Sequence, residues 1–285
     1  MTSLHLIGYA SGLAGVDVRC GEGPVTIQAA LNNNYEWNAI LKPSQDKAIS
    51  LLQTVSQLCE ALAIQVSQAL RQKQRVVVLG GDHSSAIGTW SGVYDVLHSQ
   101  GEVGLIWVDA HMDSHTPETT HSGRLHGMPL ASLLGYGHDA LTNILHATPK
   151  LKPENVCLLG VRSFEAGEAA FLEQLNVKVY FMEEIKQRGF ATVWEEAKAH
   201  VNRHTVGYGI SLDLDGIDPG DAPGVGVPEP DGILATDIYQ VFSSTASDPR
   251  LLLTEIVEFD PSRDYDHLTE KLIVSFIEQI AKGVA

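Results

Sequence analysis

Seven short runs of apolar and β-branched residues punctuate this chain, and they are nearly continuous rather than alternating with polar residues. They lie at 4–9, 76–79, 103–108, 156–161, 177–181, 207–214 and 252–259. A strand with one wet face shows a polar residue at every second position. A strand apolar almost throughout is covered on both faces, as in a parallel sheet. Between the runs, apolar residues recur three and four apart. Residues 48–72 carry Leu51, Leu52, Val55, Leu58, Leu62, Ile64, Val66 and Leu70 in that pattern, with no Gly or Pro. Further helices are expected over 84–97, 165–175, 191–204 and 265–282. The first of these opens with Ser84–Ser85, a residue type suited to an N-cap. Strand and helix in alternation predict a layered α/β fold around a mostly parallel sheet. No linker or repeat interrupts the 285 residues, so one domain over 1–285 is expected.

In such sheets ligands sit beyond the C-terminal strand ends. Three apolar runs there lead straight into acid and imidazole: Gly80-Gly81-Asp82-His83, Asp109-Ala110-His111-Met112-Asp113 and Asp213-Leu214-Asp215-Gly216-Ile217-Asp218-Pro219. Residues two apart in extended chain share a face, so Asp109, His111 and Asp113 converge if that geometry persists, as do Asp213 and Asp215. Carboxylates brought together out of water repel one another, and divalent cations relieve the repulsion. Four Asp plus His83 and His111 exceed what one zinc needs and suit two metals sharing carboxylates. Oxygen-rich donors without thiolate favour a harder ion such as Mn²⁺. A single Asp after a strand is normally a turn residue, and Asp218 before Pro219 is of that kind. His5, His98, His138, His146, His200, His204 and His267 lie in no metal-like spacing, and Met112 and Met128 read as packing residues. Gly80-Gly81 is followed by no Gly-x-Gly-x-x-Gly or Walker pattern, which argues against nucleotide binding.

Charge narrows the partners. Thirty-five Asp plus Glu against 19 Lys plus Arg leave a formal charge of −16, unlike the basic patches that nucleic acids or anionic membranes require. No stretch approaches the ~20 apolar residues of a membrane span, and the N-terminus has no basic segment of a signal peptide. Cys20, Cys59 and Cys157 are scattered and odd in number, as in reduced thiols of a cytoplasmic protein. The long loops expected at 11–23, 111–124 and 215–232 are rich in Gly, Pro, Ser and Asp, a length that usually carries function.

The three strand-end motifs resemble the signatures of the ureohydrolase superfamily, which holds arginases, agmatinases, formimidoylglutamases and guanidino-acid hydrolases. Ser122-Gly123-Arg124-Leu125-His126-Gly127-Met128-Pro129, Ala222-Pro223-Gly224-Val225-Gly226-Val227-Pro228, Val257-Glu258-Phe259-Asp260-Pro261 and Arg19-Cys20-Gly21-Glu22-Gly23-Pro24 resemble arginase segments in particular. The resemblance spans nearly the whole chain. It implies a three-layer α/β/α sandwich with a sheet of about eight strands. It implies two Mn²⁺ per chain, one held by His83, Asp109, Asp113 and Asp213, the other by His111, Asp109, Asp213 and Asp215. It also implies a homo-oligomer, trimeric or hexameric.

The implied reaction is hydrolysis of L-arginine to L-ornithine and urea, with a hydroxide generated between the metals attacking the guanidinium carbon. Asp113 would orient the hydroxide, Glu258 pair with the guanidinium and His126 pass a proton to the departing amine. The far end of the substrate meets departures from the arginase pattern. His115 and Arg124 stand where Asn is usual, Val227 where Thr is usual, and Arg162-Ser163-Phe164-Glu165 where an Asp-x-Asp follows the Arg. Ser122 matches, Arg124 and His115 suit a carboxylate, and Glu165 with Glu168 suits an ammonium. Agmatine fits less well, because Arg124 and His115 would face a substrate with no anion. The readings that compete with arginine hydrolysis are another guanidino or formimino acid as substrate, a catalytically silent metal-binding paralogue, and a one-zinc deacetylase of similar architecture.

Overall fold

The computed structural model describes residues 4–32, 34–46 and 48–283. Eight strands form one sheet: β1 (Leu4–Tyr9), β2 (Glu36–Leu41), β3 (Arg75–Gly80), β4 (Glu102–Val108), β5 (Val156–Val161), β6 (Lys178–Phe181), β7 (Thr205–Asp213) and β8 (Leu251–Val257). The order is β2-β1-β3-β8-β7-β4-β5-β6, and every pairing is parallel. All seven expected strands form, within one or two residues of their expected ends. The 207–214 and 252–259 runs overshoot, because β7 ends at Asp213 and β8 at Val257. The eighth strand, β2, has no continuous apolar run to announce it. It sits at the sheet edge, paired only with β1, and alternates between exposed and half-buried positions over Glu36-Trp37-Asn38-Ala39.

Successive residues of each strand face opposite layers. Leu6, Val77, Ile106 and Leu212 join one buried cluster, with apolar side chains from helices Gly23–Ala30, Phe190–Val201, Ala235–Thr245 and Leu268–Lys282. Ile7, Val78, Trp107 and Leu158 join the other, with helices Leu51–Arg71, Ser85–Leu97 and Pro129–Leu133. The expected three-layer α/β/α sandwich is thus present. Helices Gly23–Ala30, Met182–Arg188 and Ala235–Thr245 go beyond the sequence expectation. Helix Leu51–Arg71 starts three residues after the expected position, at a reciprocal cap between Ser50 and Gln53. Ser84 does not cap the next helix. Its hydroxyl turns instead to the Asp82 carboxylate and to the Tyr9 hydroxyl, 3.0 Å away. Cys20, Cys59 and Cys157 are buried and free, and Met112 and Met128 pack in the core. Among the described residues no helix is long and apolar enough to cross a membrane.

The chain order locates the site. After β3 the path jumps over two positions to β4, and β7 and β8 return later to fill the gap. This is the switch point at which an open parallel sheet leaves a crevice beyond its strand ends. Gly81, just past β3, is wedged there. Its N–H donates to Tyr9 O (2.8 Å), and its carbonyl accepts from Glu258 N–H (2.7 Å). A Cβ on Gly81 would overlap the Ser11 carbonyl. Gly81→Ala is therefore expected to cost about 1–3 kcal/mol, as overpacking does. A thermal melt that matches the parent protein would contradict this account of the crevice.

Candidate metal centre and active site

β3, β8, β7 and β4 are neighbours, so their C-terminal ends place His83, Glu258, Asp213 and Asp109 around one crevice. The convergence does not come from continued extended chain. β4 stops at Val108, and Asp113 reaches the site through a left-handed backbone (φ +46°). Asp215 belongs to a 3₁₀ turn, Leu214–Gly216, which Asp213 caps by accepting the Asp215 N–H at 2.9 Å. Glu258 follows β8 in the same left-handed region, φ +66°. Such backbone is strained for a residue with a Cβ and collects at functional sites.

Two groups of donor atoms result. In the first, His83 Nδ1 lies 3.3 Å from Asp109 Oδ2 and 3.0 Å from both Asp113 Oδ2 and Asp213 Oδ2. In the second, His111 Nδ1 lies 3.5 Å from Asp109 Oδ1 and 3.1 Å from Asp215 Oδ2. Asp109 therefore offers one oxygen to each group. Asp213 stands in the first group only, its other oxygen being turned to Asp215 N–H. His83 Nδ1 is buried and makes no directed hydrogen bond, although three carboxylate oxygens surround it. A nitrogen lone pair and carboxylate oxygens converging on one point fit a cation rather than a proton. The rest of the His83 ring is held firmly. It stacks on Trp107 at 4.1 Å, and its Nε2 meets Ser211 Oγ at 2.9 Å. Ser211 donates in turn to buried Glu255, which also accepts from Ser85 and Thr89. Trp107 Nε1–H donates to Asp109 Oδ2 at 2.8 Å.

The protonation preferences conflict, as expected of crowded buried acids. Burial raises Asp113 and Asp213, with Asp109 adding to both and Asp215 to the latter. Asp215 is pushed up to about 6, first by burial and then by Asp109 against the pull of His111. Asp109 goes the other way: burial opposes its charge, but His111 and His83 outweigh it and hold it low.

The remaining expected residues line the same cavity of about 300 Å³. His126 Nδ1 contacts Glu258 Oε1 at 3.0 Å, and that oxygen also accepts the His83 N–H at 2.9 Å. Burial disfavours the His126 imidazolium, yet Glu258 prevails and brings it up to about 9. Farther out stand His115, Ser122, Arg124, Glu165, Glu168 and Val227. Ser122 Oγ accepts the Arg124 N–H at 3.2 Å. Every expected site residue except His83 and Asp109, which are fully buried against it, thus lines one cavity. Asp218 is a turn residue as read, accepting from Gly220 N–H and Gly232 N–H. Among the described residues, none of His5, His98, His138, His146, His200, His204 and His267 stands in a group of three potential ligands.

The sequence reading missed several residues. Glu229 approaches His111 Nε2 at 3.7 Å, and Val16 and His121 line the cavity. Arg162 donates to the carbonyls of Gly160, Asp215, Gly216, Glu229 and Pro230 and so ties the 215–230 loop to β5. An Arg straight after an apolar strand was the available signal. Its partners are backbone atoms, which no residue pattern shows.

Comparison with known proteins agrees with this architecture. The sequence model of the Arginase family matches residues 6–282. An arginase of Bacillus caldovelox is 42% identical over 232 residues, 81% of this chain and 77% of that protein. An arginase of Bacillus subtilis strain 168 is 40% identical over 242 residues, 84% of this chain and 79% of that one. The native crystal structure of the Bacillus caldovelox arginase superposes with a TM-score of 0.90 at 36% identity, covering 98% of both chains. With the match running almost from end to end, the chain belongs to the arginase family.

Proposed function

We propose that this protein is an arginase, a hydrolase that cleaves the guanidinium group of L-arginine to L-ornithine and urea with two Mn²⁺ per chain. The observation that carries the reading is Asp109, whose two oxygens face the His83 group and the His111 group separately. His83, Asp109, Asp113 and Asp213 would hold one ion. His111, Asp109, Asp215 and Asp213 would hold the other. Two divalent cations, when bound, lower the pKa of water and supply a hydroxide near neutral pH. The donor set, rich in oxygen and free of thiolate, suits Mn²⁺.

The chain's own residues supply the rest. Glu258 is held by His83 N–H and His126 through Oε1. Its Oε2 makes no hydrogen bond among the described residues and is free to accept a guanidinium N–H, a charge-assisted contact. Asp113, fixed by its left-handed turn, accepts the hydrogen bond of the attacking oxygen and so points its lone pair at the guanidinium carbon. Collapse breaks the bond to the δ-nitrogen. That nitrogen takes up the proton of the added hydroxyl by way of Asp113 and a second one from His126, which Glu258 keeps protonated at neutral pH, so ornithine leaves as an ammonium and urea remains. Outside the reacting centre, Arg124 and Ser122 would face the substrate carboxylate and Glu165 and Glu168 its ammonium, whereas His115, expected beside the carboxylate, lies against the two glutamates instead. One domain, a cytoplasmic setting with the three thiols reduced, and a homo-oligomer, trimeric or hexameric, complete the reading.

The test is urea release by Mn²⁺-loaded protein from L-arginine, agmatine, 4-guanidinobutanoate and 3-guanidinopropanoate, with formamide or ammonia release from formiminoglutamate alongside. L-arginine is expected to be preferred, with two Mn²⁺ counted per chain. Preference for another compound would make the outer-rim departures a different specificity, and no turnover with two metals bound would point to a silent paralogue. One metal per chain would favour the one-zinc alternative. His83→Asn and His111→Asn are each expected to leave about one tightly bound Mn²⁺ by elemental analysis, because each removes a ligand from one group only. Loss of both ions from either variant would deny two separable sites. His126→Asn is expected to lower kcat about 100-fold, with the smaller change in KM, as loss of a proton donor does. A variant that lost KM and kept kcat would make His126 a binding group instead.

A further inference from the structure

The outer rim of the cavity is already occupied by the protein itself. His115 Nε2 is in hydrogen-bond contact with Glu165 Oε2 and lies 3.4 Å from Glu168 Oε2. The ring is well anchored. Its Nδ1 meets Thr119 Oγ1 at 3.1 Å, that oxygen accepts the Thr116 N–H, and the residue is only 7% exposed. Glu168 is equally fixed, buried and accepting from Ser114 N–H and Glu165 N–H. Glu165 is the exposed member, its side chain 56% exposed. Among the described residues no Lys or Arg lies within ion-pair distance of either glutamate. A substrate ammonium entering this rim therefore finds its carboxylates already engaged by an imidazole.

Resting on the arginase reading above, we infer that His115 is a specificity-determining residue that competes with the substrate's α-ammonium for Glu165 and Glu168. Binding of an α-amino acid exchanges the His115 contact for the ammonium, with exposed Glu165 swinging to meet it while His115 and Glu168 stay in place. A guanidino acid without the ammonium leaves the pair closed. Only the fraction of protein with the pair open accepts the ammonium, so the apparent affinity for L-arginine is lowered by that fraction. The chemistry occurs at the other end of the cavity, so the effect falls on KM rather than on kcat.

The test compares L-arginine with its desamino analogue, 5-guanidinopentanoate, in the Mn²⁺-loaded parent protein and in His115→Asn, whose shorter amide withdraws from Glu165. The ratio of KM for L-arginine to KM for 5-guanidinopentanoate is expected to fall about ten- to a hundredfold, the worth of one hydrogen bond to a charged group. His115→Phe, which keeps a ring in the buried site without its N–H, serves as the second variant. A ratio unchanged or raised in either folded variant overturns the inference and makes His115 a direct support of the substrate. If the parent protein releases no urea from L-arginine, the arginase reading fails separately. The competition is then read by calorimetry, with L-ornithine against 5-aminopentanoate, where the same relative tightening is expected and its absence overturns the inference.

Discussion

Four aspartates and two histidines meet in one crevice, all but His111 buried, and the repulsion among those carboxylates is the constraint that the rest of the structure answers. Buried acids at this spacing cannot all stay ionised by themselves, as the opposed shifts of Asp109 on one side and Asp113, Asp213 and Asp215 on the other show. Replacing these residues with apolar ones would relieve the strain but leave nothing to attract a cation. The fold instead clamps them. Trp107 and the His111 N–H grip Asp109, the Asp215 N–H grips Asp213, and the Ser211–Glu255 chain orients His83. A donor set held this firmly in advance loses little freedom when an ion enters, which favours tight binding.

The supports come from different parts of the fold. The parallel sheet brings four strand ends to one crevice, and the two hydrophobic layers make that sheet stiff. The strained turns at Asp113 and Glu258 aim two carboxylates that regular strand geometry would send elsewhere. Arg162 holds the return loop by four carbonyls and β5 by a fifth, with a guanidinium fork that Lys cannot reproduce. Strain is tolerable at the turns because the rigid sheet on one side and the tied loop on the other leave the backbone no easier path.

The inner and outer halves of the cavity differ in character. Inside, every donor except half-buried His111 is buried. Outside, Arg124 and Glu165 are exposed, and the contact between His115 and Glu165 joins a buried ring to an exposed chain. Chemistry that needs sub-ångström placement sits where the protein is stiffest, and recognition of the substrate's far end sits where side chains are able to move.

The near-continuous apolar runs determine by themselves that the sheet is parallel and covered on both faces, since nothing else keeps such strands out of water. The acid and imidazole residues at three run ends likewise mark the site, because that density of buried charge requires metal. Edge strand β2 escaped the reading, as an edge needs only half the apolar coverage. Why Asp113 and Asp215 converge also escaped it: the signal pointed to extended chain, whereas a left-handed residue and a 3₁₀ turn bring them in. The roles of Arg162, Ser211 and Glu255 depend on partners far away in sequence. The pairing of His115 with Glu165, 50 residues apart, exists only because two loops close over the same strand ends. Periodicity and residue type record what each segment must bury or expose, while the meeting of distant side chains is decided by the strand order that sets them side by side.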